Sequence, residues 1–200
     1  EKLWHLVKAF CYNSFMTEKE FLALIQKDQQ LMMILNVIAD LGLKDSWLAA
    51  GAVRNYIWNS LSGRQGFDRD TDLDVVFYDP EISYQETLNR ERRLKESYPD
   101  YPWELKNQVF MHVHNPDTAG YESARDAISK YPETATAVAL RLIDDELELF
   151  APYGLDVISR FEIHPTPYFK ASDKRMAVYN ERMARKNWSK KWSQIRVYQD

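Results

Sequence analysis

Apolar residues recur at helical spacing in two segments near the start of the chain. The spacing runs through residues 18–41 and begins again after Gly51, which predicts two amphipathic helices. Thr17 and Glu20 occupy the two positions of a capping box before the first helix, and Gly42 is a natural stop after it. We therefore expect one continuous helix over 18–41, with one face in the core.

Short runs of β-branched and aromatic residues predict the strands. They lie at 47–50, 73–78 and 103–114, with a hairpin formed by 136–143 and 147–150. Further helices are predicted at 83–97, 121–130 and 171–196. Because helices alternate with strands and the last two strands form a hairpin, this order predicts a mixed α/β (α+β) fold whose sheet is antiparallel in part.

The composition is that of a folded domain with a helical appendage. Of the 200 residues, 45% are hydrophobic and 14% aromatic, which suffices for a packed core and argues against disorder. No apolar run approaches the ~18 residues of a membrane span, and residues 1–5 lack a signal-peptide pattern. Because the first residue is not Met, we expect the true N-terminus to lie outside this sequence.

Cysteine usage and charge narrow the classes of function. Cys11 is the single cysteine, which excludes an internal disulfide and a cysteine-based zinc site and fits the cytoplasm. The net charge of −4 and the pI of about 5.7 do not indicate a dedicated nucleic-acid binder, because such proteins usually carry a basic excess. A local basic region is nevertheless present around Trp188 and Trp192, formed by Lys186, Lys190, Lys191 and Arg196. It is either a nucleic-acid-binding face or an ordinary solvated helix.

Two aspartates at the start of a predicted strand are the first candidates for chemistry. Side chains two positions apart in a strand share a face, so Asp72 and Asp74 would project together and favour a hard divalent cation such as Mg²⁺. An acidic, solvated loop running into a strand gives the same pattern. Glu104 and Glu148 are both candidates for a third carboxylate, since each has apolar neighbours on both sides, and spacing does not choose between them.

A turn of small residues precedes the second predicted helix. Gly51 and Ala52 would let backbone N–H groups approach a phosphate at the helix N-terminus, and Arg54 would add a fork of donors. An ordinary tight turn explains the same residues. His112 and His114 would share a face of the strand predicted at 103–114, but without a third ligand nearby they predict no metal site.

Together these motifs resemble the polymerase-β superfamily of nucleotidyltransferases. In that superfamily a small-residue turn opens a helix, an Asp-x-Asp pair follows on a strand, and a third acid lies on a neighbouring strand. The stretch from Gly51 to Asp74 also resembles the head of tRNA CCA-adding enzymes, in which Gly-Gly-x-Val-Arg-Asp precedes Asp-x-Asp.

The chain resembles more closely a little-characterised bacterial nucleotidyltransferase family, a domain of unknown function. The matching stretches are 50–58, 72–79, 103–108, 131–138, 151–156 and 185–192. The resemblance implies the nucleotidyltransferase fold, a mixed sheet flanked by helices. It also implies a catalytic domain over 1–160 that includes the N-terminal helix, and a helical C-terminal extension over 161–200 packed on the same domain.

The resemblance also implies the catalytic residues. Asp72, Asp74 and Glu104 would be the catalytic and metal-binding triad for Mg²⁺ (or Mn²⁺), which favours Glu104 over Glu148 as the third acid. In the two-metal mechanism of the superfamily, the two aspartates would contact both ions, and Glu104 would contact the ion that activates the acceptor hydroxyl.

Nucleotide binding would fall to residues around the turn and after the third acid. These are Gly51, Ala52, Arg54, Asn55, Lys106, Asn107 and Gln108. Ala52 stands where the wider superfamily has Gly or Ser, and Asn55 stands where CCA-adding enzymes carry Asp, so tRNA specificity does not transfer.

The reaction implied is transfer of a nucleoside monophosphate from a nucleoside triphosphate (NTP) to an unidentified hydroxyl acceptor, with release of pyrophosphate. The alternative is a catalytically silent nucleotide-binding or regulatory module of the same fold. The NTP and the acceptor are the expected partners, no membrane is implied, and neither the acceptor nor the oligomeric state is indicated.

Overall fold

The computed structural model describes residues 16–199, so Cys11 and His5 lie outside the described residues. The helices are α1 (Glu18–Ile25), α2 (Gln29–Asp40), α3 (Gly51–Leu61), α4 (Tyr84–Ser97), α5 (Ala124–Ser129), α6 (Asp156–Ser159), α7 (Pro167–Lys170) and α8 (Asp173–Arg185). The strands are β1 (Trp47–Ala49), β2 (Leu73–Phe77), β3 (Trp103–Asn107), β4 (Ala139–Ile143), β5 (Glu146–Phe150), β6 (Glu162–Ile163) and β7 (Arg196–Val197).

Five strands form the main sheet in the order β3-β2-β1-β4-β5. β2 and β3 are parallel and are connected through α4, whereas the other neighbouring pairs are antiparallel. β6 and β7 form a separate parallel pair. The predicted mixed α/β sheet with an antiparallel part is therefore confirmed.

The two faces of the main sheet differ in what covers them. One face carries Leu48, Val75 and Leu140, which belong to a large core packed against the helices. The opposite face carries Trp47, Ala49 and other small or apolar residues, and a smaller cluster covers it in part. We call this second face the open face, because charged side chains of β2 and β3 lie on it.

The helix predicted over 18–41 is wrong as a single element. The chain turns after Ile25 and starts again at Gln29, because the Asp28 carboxylate accepts hydrogen bonds from the N–H groups of Gln30 and Leu31. An aspartate side chain that satisfies two backbone donors favours a new helix start over a continued helix. The capping box of Thr17 and Glu20 is present as predicted.

The strand predicted over 103–114 is correct only as far as Asn107. Residues Gln108–His114 form a 3₁₀ helix, with the Asn107 side chain accepting from the N–H of Val109. β2 ends at Phe77, which pairs with Asn107, so no strand continues beside the chain beyond that point. The prediction that His112 and His114 share a strand face is therefore wrong.

The basic segment 171–196 is helical only in part. α8 ends at Arg185, a short 3₁₀ turn follows at Trp188–Lys190, and β7 begins at Arg196. Tyr179 and Trp192 are buried in the same core as the main sheet. Within residues 16–199, no helix has the length and apolar character needed to cross a bilayer.

Candidate active site

Two of the three predicted acids face each other across neighbouring strands. Asp74 of β2 and Glu104 of β3 are register partners in the parallel pair, and both side chains lie on the open face. Asp72 is exposed at the start of β2, on the same side as Asp74. The strand pairing thus brings together two acids that are far apart in the sequence.

Lys106 joins the two facing carboxylates. Its Nζ lies 2.6 Å from Asp74 Oδ1 and 2.5 Å from Glu104 Oε2. Burial raises the pKa of Asp74, and Lys106 opposes that shift. The hydrogen bond from Lys106 lowers the pKa of Glu104. Burial would lower the pKa of Lys106, but the two carboxylates raise it above its ordinary value. The three groups therefore form a charged triad held together by one ammonium.

Glu148, the other candidate for the third acid, lies elsewhere. It is on β5, which two strands separate from β2. Its carboxylate is ion-paired with Arg125 and with Arg141, whose Nη2 is 2.5 Å from Oε2. Because two guanidinium groups already compensate its charge, Glu148 belongs to a structural ion-pair network.

The turn before α3 has its unusual backbone conformation at Ala50. Ala50 has φ 56° and ψ −120°, whereas the turn was assigned from sequence to Gly51 and Ala52. Gly51 is the first residue of α3, and a Cβ there would lie 3.2 Å from Thr71 Cγ2. Ala52 is buried within the helix. No side chain caps the N-terminus of α3, so a phosphate can take that place.

Replacing Ala50 by Gly is expected to stabilise the fold by about 1 kcal/mol. A non-glycine residue with positive φ costs of order 1–3 kcal/mol, while losing one buried methyl group costs roughly 0.8 kcal/mol. Urea denaturation checks the sign, with Ala52→Gly as the matched control. That control should destabilise by about 1 kcal/mol because Ala52 has helical geometry. A loss of stability in Ala50→Gly would show that the backbone at Ala50 is not strained.

Arg54 is fixed beside this turn. Its Nε and Nη2 donate to Asn55 Oδ1, and its Nη1 donates to Thr136 Oγ1 at 2.7 Å. The guanidinium packs against the rings of both Trp58 and Trp188, with its Cζ 4.8 and 4.5 Å from the ring centroids. Burial lowers the pKa of Arg54 to about 10. These contacts fix the position of the guanidinium, which has five N–H donors.

Asn55, Asn107 and Gln108 have mainly supporting contacts. Asn55 accepts from Arg54 and donates to Thr71 Oγ1, which ties the turn to the loop before Asp72. Asn107 faces away from the open face, and its amide donates to the carbonyls of Asp79 and Ile82. The buried Gln108 donates to the carbonyl of Lys106. The structure thus does not bring Asn107 to the carboxylates, and it gives Gln108 a backbone contact.

The segment 131–138 contributes residues that had no predicted role. Glu133 is fully buried and ion-paired with Arg182 of α8, and Thr136 contacts Arg54. The N–H of Ala50 donates to the carbonyl of Val138 at 2.9 Å. This stretch was among those that carry the family resemblance, but neither its spacing nor its composition indicated that it lies against the turn.

Comparisons with known proteins identify the family and agree with the fold. Residues 36–197 match the family described as nucleotidyltransferase. A solved NMR structure described as revealing a CCA-adding enzyme head domain is 51% identical, with a TM-score of 0.87. The match covers 93% of this chain and 98% of that one. No curated protein matches the chain. Since the family match extends over most of the sequence, the chain belongs to the nucleotidyltransferase family.

Proposed function

We propose that this protein transfers a nucleoside monophosphate from an NTP to a hydroxyl acceptor and releases pyrophosphate. The observation that carries the proposal is the pairing of Asp74 with Glu104 on the open face, in a chain of the nucleotidyltransferase family. In this reaction the acceptor oxygen bonds to the α-phosphorus while the bond from that phosphorus to the leaving pyrophosphate breaks.

The donor chemistry of the acids fits a hard divalent cation. Asp74 and Glu104 already direct oxygens at one cation, the Lys106 ammonium, and Asp72 adds a solvent-accessible carboxylate on the same side. Within residues 16–199, no three His, Cys, Asp or Glu side chains are placed so that they could hold a metal ion, and the Lys106 ammonium contacts two of the carboxylates that such an ion would use. Mg²⁺ or Mn²⁺ held by Asp72, Asp74 and Glu104 would lower the acceptor hydroxyl's pKa and neutralise developing phosphate charge.

The remaining residues bind and orient the nucleotide. The uncapped N-terminus of α3 offers backbone N–H groups at Gly51 to a phosphate. Arg54 supplies fixed positive charge there, because Asn55, Thr136 and two tryptophan rings hold it. Lys106 holds the carboxylates of Asp74 and Glu104 close together.

Transfer is tested with the same NTP labelled at either the α- or the γ-phosphate, incubated with the protein, Mg²⁺ and a cell extract that supplies acceptors. Label from the α-position should enter a product, whereas label from the γ-position should appear in pyrophosphate. Release of the γ-label as inorganic phosphate in a pyrophosphatase-depleted extract, above the amount that the extract releases without the protein, would contradict the proposal. Nucleotide binding without transfer under any condition would identify a silent nucleotide-binding module.

Glu104→Gln and Glu148→Gln form a matched pair of variants. We expect Glu104→Gln to lower transfer by about 10²-fold, because an amide is a poor ligand for a divalent cation and costs several kcal/mol of charge stabilisation. Glu148→Gln should leave transfer per folded molecule within about twofold, because its carboxylate pairs with Arg125 and Arg141. Activity that depends on Glu148 and not on Glu104 would show that the third acid is assigned to the wrong strand.

A further inference from the structure

A group of positive charges lies beside the turn before α3 and includes residues with no role in the reaction described above. We call Arg54, Arg182 and Lys186 the basic cluster. Arg54 belongs to α3, and Arg182 lies in the last turn of α8. Lys186 is the residue that follows α8, and its backbone N–H donates to the carbonyl of Arg182.

The ring of Trp188 brings Arg54 and Lys186 together, since its centroid is 4.5 Å from Arg54 Cζ and 5.9 Å from Lys186 Nζ. Burial lowers the pKa of Lys186, and the charges of Arg182 and Arg54 lower it further. Burial is also the main cause that lowers the pKa of Arg54, with Arg182 adding to it. Arg54 and Lys186 therefore contact one aromatic ring, and Arg182 is near enough for its charge to act on both of them.

Glu133 is the buried acid that compensates the basic cluster in part. It is fully buried, and its Oε1 accepts from the Nε of Arg182. Its Oε2 has no hydrogen-bond partner among residues 16–199. Glu133 compensates Arg182 directly, whereas Arg54 and Lys186 have no carboxylate within ion-pair distance among residues 16–199. Cations without a direct carboxylate partner next to a turn are suited to a polyanion.

The basic cluster is joined to the turn by direct contacts. A Cβ on Gly51 would lie 3.9 Å from Arg54 Nη2, which places the guanidinium next to the first residue of α3. The segment that carries Glu133 continues to Thr136, which accepts from Arg54, and to Val138, which accepts from the N–H of Ala50. Asp72 also lies close enough for its negative charge to oppose the lowering of the Lys186 pKa.

We propose that Arg182 and Lys186 bind the β- and γ-phosphates of the nucleotide, together with Arg54 and the uncapped N-terminus of α3. The assignment rests on the proposed function, which requires an NTP whose α-phosphate lies at the aspartates. Arg182 offers a planar fork of donors whose direction Glu133 fixes. Lys186 is exposed as a residue, but its ammonium lies beside the ring of Trp188 and supplies a point charge on a flexible side chain.

The test measures binding of inorganic tripolyphosphate in the presence of Mg²⁺ by titration calorimetry. The variants are Lys186→Met, which removes an exposed charge without disturbing the core, and Arg182→Lys, which keeps the charge opposite Glu133 but loses the fork. The matched controls are Lys190→Met and Arg185→Met. Lys190 is exposed in the following 3₁₀ turn, and Arg185 pairs with Glu181 on the same helix.

We expect Lys186→Met to weaken binding at least about tenfold, the loss for one charge-assisted hydrogen bond, and Arg182→Lys to weaken it about fivefold or more. The two controls should stay within about twofold, because exposed charges outside the cluster contribute little. Binding as tight in Lys186→Met and Arg182→Lys as in the wild type would overturn the assignment, and so would a wild type that does not bind tripolyphosphate.

The same variants separate this proposal from the reaction itself. If the wild type transfers label from the α-phosphate while all variants bind tripolyphosphate equally, the reaction stands and the basic cluster is not the phosphate site. If tripolyphosphate binding depends on Lys186 and Arg182 but no transfer occurs under any condition, the phosphate site stands and the reaction is contradicted.

Discussion

Replacing Asp74 by Asn is expected to reduce transfer by about 10³-fold or more, which corresponds to about 4 kcal/mol of transition-state stabilisation. Asp74 contacts Lys106 and is the register partner of Glu104 on the open face. A neutral amide there would be a poor ligand for a divalent ion. Its loss also leaves Lys106 paired with Glu104 alone, which removes the net negative charge that would attract a divalent cation. The measurement is the rate of α-label incorporation per folded molecule.

The control for Asp74→Asn is Asp145→Asn. Asp145 is exposed in the hairpin between β4 and β5 and has φ 63°, a conformation that Asn tolerates. We expect wild-type transfer in this control. Asp74→Asn should also keep its melting temperature within about 4 °C, because burial already raises the pKa of Asp74 and disfavours its charge. Transfer that persists in Asp74→Asn would contradict the proposed site.

Trp58→Ala is expected to destabilise the fold by about 3–5 kcal/mol. Trp58 is fully buried in α3, stacks on Phe161 with centroids 6.1 Å apart, and lies 5.0 Å from the ring of Trp192. Its Nε1 donates to the carbonyl of Ile158. Truncation removes these contacts, leaves a cavity and releases one side of the Arg54 guanidinium. Urea denaturation followed by circular dichroism gives the free energy of unfolding.

Trp58→Phe separates the two contributions of the side chain. It keeps a ring beside Phe161 but leaves the carbonyl of Ile158 without its donor, so we expect a cost of about 2 kcal/mol. Costs below about 1 kcal/mol in both variants would show that this aromatic contact is not part of the stabilising core. A fall in nucleotide affinity in Trp58→Phe would show that the ring also positions Arg54.

Much of the fold was predictable because strong local signals agree with the tertiary structure. The β2 strand follows from Leu73, Val75 and Phe77 alternating with residues of the open face. The break between α1 and α2 was not predictable from periodicity, since the apolar spacing continues through it. Asp28 looks like an ordinary exposed helix residue until its carboxylate is seen to accept from Gln30 and Leu31.

The candidate site was predictable in part. Asp72 and Asp74 could be placed on one face from strand geometry alone. Choosing Glu104 required the family resemblance, because the pairing of β2 with β3 cannot be read from spacing. The contacts of Lys106 and the link from Glu133 to Arg182 join residues that are between 2 and 49 positions apart. Such contacts depend on the sheet order and on where α8 packs, which no local pattern specifies.

The position of α8 has a consequence for how the protein is made. Tyr179 and Trp192 complete a core that begins with Phe21, and Trp192 donates to Asn59 of α3. During translation the main sheet leaves the ribosome before these residues do. Until they follow, the Trp58 side chain lacks its contact with Trp192. The nascent chain therefore has an interval in which the strands that carry Asp74 and Glu104 exist but the segment that covers Trp58 does not. Chaperones that recognise exposed aromatic surface would find their substrate in that interval.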